Sequence, residues 1–268
     1  MRLSVRSRVL TGLWLTAMSA AGALLFAWPF LGAGLPSATP AMAVAVGAAF
    51  TLIAVETGTR RLDSRALALL AALAALDAAL RLALVFGIGG FSPMFLLILC
   101  AGYVFGPAYG FLVGAASMLL SALATGGVGP WLPYETFAAG WVGVAGGAVG
   151  LGRSGTPGRS DLVRLAVVGV AAGFVYGAVM DVWDWTFFRG ATDFGWVPGL
   201  SPGDAAARFA RYYMATSAVY DSFRAAGNVL MIVVVGLPVL HAMRRFRSRF
   251  EVEEVAGTDT LEGAAGLA

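Results

Sequence analysis

Charged side chains are scarce in this 268-residue chain, so those inside apolar stretches are the first candidates for chemistry. Asp77 and Arg81 lie four residues apart in LAALDAALRL. Glu135 follows Trp131 and Tyr134 in GPWLPYET, and Asp181 and Asp184 stand beside Trp183 and Trp185. Asp221, Arg224 and Asn228 are spaced three and four apart, which places them on one helical face. Polar groups are costly in an apolar helix and normally face a bundle interior or a watery cavity. Carboxylates, guanidinium groups and an amide beside indole and phenol rings could orient and stack a flat, polar small molecule. The candidate ligand residues are therefore Asp77, Arg81, Trp131, Tyr134, Glu135, Asp181, Trp185, Asp221, Arg224 and Asn228.

Plainer readings stand beside that one. Asp77 and Arg81, or Asp221 and Arg224, could pair with each other, and the tryptophans could form an interfacial belt. Other chemistry lacks its residues. No lysine occurs, so no G-x4-G-K-[ST] phosphate loop is possible, and HExxH and G-x-S-x-G are absent. The one cysteine, Cys100, sits in an apolar run and rules out a disulfide framework. The one histidine, His241, falls where the last apolar helix ends. No cofactor or metal is expected.

The elements that must position these residues are membrane helices. The chain is 59% hydrophobic and 12% charged, against roughly 25% charged in soluble domains, and its mean hydropathy is +0.81. Eight segments approach the length of a span, at 10–34, 40–57, 64–87, 92–105, 107–125, 134–152, 162–187 and 217–243. The fourth is short and is set off by Gly106-Pro107, so it is expected to tilt or to cross where protein locally covers the bilayer. The first exceeds a signal-peptide core of roughly 7–15 residues and is expected to be retained, although PSATPAMA offers a small-residue cleavage site.

Arginine placement orients the bundle. Arg2, Arg6, Arg8, Arg60, Arg61, Arg65, Arg153, Arg159, Arg164, Arg244, Arg245, Arg247 and Arg249 fall on one side of this scheme. The short loops Leu31–Pro40, Gly87–Phe91 and Thr125–Pro133 on the other side carry no charge. The positive-inside rule then puts both termini in the cytoplasm. The net charge of +3 is that of arginine-flanked membrane helices and indicates no nucleic-acid partner. The candidate residues converge from several helices on the outer half, as an outward-facing pocket requires. Ser201-Pro202-Gly203-Asp204 predicts a helix start in the long outer connector. The acidic, Gly/Ala-rich residues 251–268 are expected to be a disordered cytoplasmic tail.

The third segment also carries a stripe of small residues: Ala71, Ala75 and Ala79, with Ala68 and Ala72 alongside. Such a stripe admits a partner helix closely, whereas Gly110-x3-Gly114 and Gly143-x2-Gly146 are expected to pack within the bundle.

These segments carry a resemblance. LAALDAALRL, then SPMFLLILCAGYVFGPAYGFLVGAASMLLSA, then GVGPWLPYETFAAGWVGVAGG resemble, in order and spacing, the substrate-binding (S) components of energy-coupling factor (ECF) vitamin transporters. The Gly129-Pro130-Trp131-Leu132-Pro133 motif is most similar to the cobalamin-type branch, although other vitamins or a modified base fit the chemistry equally. The resemblance implies an all-α polytopic membrane protein in a prokaryotic plasma membrane. Residues 59–250 would form a six-helix S-component core, and residues 1–58 an added pair of membrane helices. It further implies a vitamin-like substrate bound from outside, a T-type transmembrane coupling protein and two cytoplasmic ABC ATPases as partners. Ala71 and Ala75, with Ala79 as an alternate, match the face that meets the coupling protein. The chain would not itself be an enzyme. The competing class is a membrane-embedded enzyme for a lipid or isoprenoid substrate, with Asp181 and Asp184 on a metal and phosphate.

Overall fold

The computed structural model describes residues 5–31, 64–83, 94–153, 155–188 and 193–265, with side chains described within 9–248. Among these residues there are eight α-helices and no strand. They are α1 (Val5–Ala27), α2 (Ser64–Ala83), α3 (Phe95–Phe105), α4 (Pro107–Thr125), α5 (Leu132–Gly150), α6 (Arg159–Trp185), α7 (Pro202–Thr216) and α8 (Ala218–Ala265). A single 3-10 turn, Trp28–Phe30, continues α1. The expected span at 40–57, the loops at 32–40 and 87–91, the boundary at 58–59 and Arg2, Arg60 and Arg61 lie outside the described residues.

Among the described residues four stretches are long and apolar enough to cross a membrane: Val9–Phe30, Pro107–Thr125, Arg159–Trp185 and Ala218–Ser248. At about 1.5 Å per residue, α2 and α5 also reach span length with 20 and 19 residues. Their hydropathy is diluted for different reasons. α2 carries Asp77 and Arg81, whereas α5 is rich in glycine and enclosed by its neighbours. The protein is a polytopic all-α membrane protein.

α3 is too short to span, with 11 residues, but all of them except Phe105 are buried. Protein, not lipid, surrounds it. It ends at Gly106, whose φ of 103° and ψ of 170° suit a residue without Cβ, and Pro107 then opens α4. α5 packs on both α3 and α4. The approach is backbone to backbone: a Cβ on Gly110 of α4 would lie 2.5 Å from the Gly143 carbonyl oxygen of α5. Larger residues at either position would push the helices apart.

α6 and α8 form the other main pair, and α8 also contacts α3. α1 rests on α5, where Phe137 and Trp141 cover Gly22 and the Trp141 indole donates to Ser19 Oγ at 3.2 Å. In α7, Ala205, Phe209 and Tyr212 recur on one face, and the rest of the helix is largely exposed. Its start agrees with the sequence signal. Ser201 Oγ accepts from the Asp204 backbone N–H at 3.2 Å, and Pro202 takes the first position. The connector meets the last helix with a break only at Ser217. Where residues 251–268 were expected to lack structure, the α8 backbone continues as helix to Ala265.

Candidate functional site

Three polar or aromatic groupings occupy the bundle. The first joins α2, α4 and α5. Arg81 Nη2 donates to Glu135 Oε1 at 2.9 Å and Nη1 donates to Met118 Sδ at 2.8 Å. Arg81 therefore leaves Asp77, four residues earlier, and the local pairing allowed by the spacing does not form. Asp77 is fully buried and neither carboxylate oxygen has a hydrogen-bond partner. Ser117 lies beside it but donates its proton to the Val113 carbonyl at 2.8 Å.

The second grouping is a zipper between α6 and α8. Gly169, Gly173 and Gly177 repeat every four residues and meet Asn228, Ala225 and Asp221 in reverse order, so the helices run antiparallel. Asn228 Nδ2 donates to the Gly169 carbonyl at 2.9 Å, and Arg224 Nη1 donates to the Gly173 carbonyl at 3.2 Å. Arg224 also pairs with Asp221, whose second oxygen accepts from Tyr213 Oη at 2.9 Å. Burial, reinforced by that bond, holds the Tyr213 phenol well above its ordinary range and keeps it a proton donor. The Arg224 guanidinium lies 5.4 Å from the Tyr176 ring centre and 5.0 Å from that of Tyr220. Tyr176 is also within electrostatic reach of Arg81 and Glu135, and so stands between the two ion pairs.

The third is an aromatic cluster at one end of the bundle. Tyr134 packs at 4.9 Å from both Phe26 and Trp183. Trp185 is fully buried and donates from Nε1 to the Phe194 carbonyl at 2.7 Å. Trp28, Phe30, Phe209, Trp196 and Tyr212 pack with Trp185, and Phe30 and Phe209 also touch the main core that holds Phe26, Tyr134 and Trp183. Burial first, and then the Asp181 and Asp184 carboxylates, push the Tyr212 phenol up to about 12. Asp181 is buried, and its Oδ2 has no hydrogen-bond partner.

The candidate residues therefore separate by surroundings. Tyr134, Asp181 and Trp185 lie in or beside the aromatic cluster. Glu135 and Arg81 pair with each other, while Asp221, Arg224 and Asn228 hold α8 to α6. Trp131 stands apart: it is 41% exposed, and its indole folds back to donate to the Gly127 carbonyl at 3.1 Å. A belt position describes Trp131, but it does not describe the buried Trp183 and Trp185. Asp181 is buried and Asp184 exposed, and among the described residues no group of three or more His, Cys, Asp or Glu could hold a metal.

Several contributors escaped the sequence reading. Tyr176 and Met118 are placed by partners far away in the chain, and Tyr213 by Asp221 across the break between α7 and α8. The glycine repeat of α6 was a visible signal, since its spacing matches the polar stripe of α8. Trp28 and Phe30 were hidden at the end of an unremarkable apolar helix.

On α2, Ala71, Ala75 and Ala79 are exposed together with Ala68 and Ala72, while Leu70, Leu73, Ala74, Asp77 and Ala78 face inward. At the end opposite the aromatic cluster, arginines converge. Arg153 Nη1 bonds Asp161 Oδ1 at 2.8 Å, Arg164 approaches the same oxygen at 3.6 Å, and Arg244 donates to the Arg153 carbonyl at 2.9 Å. The Arg153–Asp161 pair lines a cavity of about 380 Å³ together with Tyr103 and Thr156.

The family model described as "ECF-type riboflavin transporter, S component" matches residues 61–196, just over half of the chain. The match runs from the foot of α2 through α3, α4, α5 and α6 to Trp196. It leaves out α1, α7 and α8. No curated protein and no solved structure matches the chain. The family is a transporter component and not an enzyme. The helices that carry Arg81, Glu135, Tyr134, Asp181 and Trp185 thus lie within the matched residues, and the chain belongs to the ECF-type riboflavin transporter S-component family.

Proposed function

We propose that this chain is the substrate-binding subunit of an ATP-driven vitamin importer, and that the aromatic cluster is its ligand site. The observation that carries this is the buried Asp181 carboxylate, with one oxygen unpartnered, one helical turn before the buried Trp185 ring and within electrostatic reach of Tyr212. Rings of this kind stack on a flat heterocycle. An unpartnered buried acceptor is costly until a hydroxyl or ring N–H reaches it. A planar ring with a hydroxylated tail, the chemistry of riboflavin, supplies both. The family match points the same way.

The topology read from the arginines puts this cluster on the outer face and both termini in the cytoplasm. Capture is then from outside. Delivery runs through a T-type coupling protein driven by two cytoplasmic ATPases, with the exposed Ala71, Ala75 and Ala79 face of α2 as the docking surface. A stripe of small side chains facing outward suits close approach by a partner helix.

Cobalamin is the second reading, supported by the resemblance of Gly129-Pro130-Trp131-Leu132-Pro133 to that branch. Cobalamin is much bulkier than a single flat ring system, and Trp131 stands outside the aromatic cluster. A thermal-shift screen of the purified protein against riboflavin, cobalamin and other vitamins separates the two. Stabilisation by riboflavin and not by cobalamin is the expected result. Stabilisation by cobalamin alone would replace the first reading with the second.

A further inference from the structure

The rings proposed to hold the substrate are already covered, and the segment covering them comes from outside the family match. Trp28-Pro29-Phe30 turns tightly off the end of α1. Phe30 lies near-parallel to Trp185, with centroids 5.9 Å apart and 30° between planes, and meets Phe209 edge-on at 5.7 Å. Trp28 meets Trp196 at 5.5 Å and lies beside the Tyr134 hydroxyl. With this turn seated, Tyr134 and Trp185 are each 0% exposed. A flat ligand ring would need the face of Trp185 that Phe30 now covers.

We propose that the Trp28–Phe30 turn is a built-in occupant of the ligand site, seated in the unliganded protein and displaced when a flat aromatic substrate enters. This rests on the reading of the aromatic cluster as the ligand site. The geometry favours an exchangeable occupant over a fixed wall. The turn reaches the cluster at the end of α1, and α1 is seated on α5 by residues that all precede the turn: Ser19 and Gly22, about two to three helical turns earlier, and Phe26, which packs on Tyr134 and Trp141. The turn can therefore leave while the helix stays docked. The near-parallel pairing of Phe30 with Trp185 is also the contact that a stacked heterocycle would reproduce.

Competition by an internal ring lowers apparent affinity by the fraction of molecules whose site is free. Removing the ring removes that competition. The experiment is an equilibrium riboflavin titration of the purified full-length protein, comparing wild type with Phe30→Ala, Phe30→Leu and Trp28→Phe. Phe30→Leu keeps the apolar volume without the ring, and so serves if Phe30→Ala unfolds. The Phe30 variants are expected to bind about tenfold more tightly than wild type, as when about one site in ten is free. Trp28→Phe should shift affinity in the same direction by less. Wild-type binding with unchanged or weaker binding by the Phe30 variants would make the turn a wall and overturn the proposal, leaving the riboflavin reading intact. No riboflavin binding by any of the four proteins would remove that reading and the proposal with it.

Discussion

Arg81 donates to Glu135 at 2.9 Å across two helices and does not pair with Asp77 on its own helix. The bond ties the last turn of α2 to the first turn of α5, where Glu135 directly follows Tyr134. Removing one partner of a fully buried pair costs about 3–5 kcal/mol. These side chains retain 24% and 15% exposure, so Glu135→Ala should cost less, about 1–3 kcal/mol. Replacing both, as Arg81→Met with Glu135→Leu, should recover most of the loss. Unfolding midpoints in detergent check this, and additive losses would show that the pair is not coupled.

Gly177 has no room for a side chain, because a Cβ there would collide with the Asp221 carboxylate. Gly177→Leu should separate α6 from α8 and break the Asp221–Arg224–Tyr213 network. The expected result is loss of folded protein by size-exclusion chromatography. Gly203→Ala is the control, since nothing lies within 4 Å of a Cβ there. Equal behaviour of the two variants would contradict the zipper.

Ala71→Trp with Ala75→Trp enlarges an exposed face and disturbs no buried contact. The purified double variant should keep the wild-type unfolding midpoint and ligand affinity. Cells expressing it with its coupling protein and ATPases should lose uptake. Equal loss of binding and uptake would count against docking through α2.

Cys100 is fully buried in α3. A maleimide should label the native protein in detergent negligibly and the denatured protein fully. Rapid native labelling would mean that α3 is not enclosed.

Local features were legible in the sequence. Ser201-Pro202 marks the start of α7, and the Gly106-Pro107 break falls between α3 and α4. The helix start and the break depend on residues within a turn or two of one another. The stripe Ala71, Ala75 and Ala79 is exposed, although Ala74 and Ala78, spaced alike, face inward beside Asp77. The partner of Arg81 is 54 residues away, and spacing along α2 could only offer Asp77. The polar stripe of α8 was visible, but its target was the α6 backbone, since glycine leaves carbonyls accessible without advertising it. Trp131 and Trp185 were equal candidates in the sequence. Only packing separates the buried Trp185 from Trp131, which lies back over its own loop.

The central claim is that the cluster around Trp185 and Asp181 holds the substrate. Riboflavin titration of purified wild type, Asp181→Asn and Trp185→Leu tests it most directly, with unfolding midpoints confirming that each protein is folded. Wild type should bind saturably, one molecule per chain, and both folded variants should bind at least about tenfold more weakly, since each tenfold step is about 1.4 kcal/mol. Undiminished affinity in both folded variants would contradict the account.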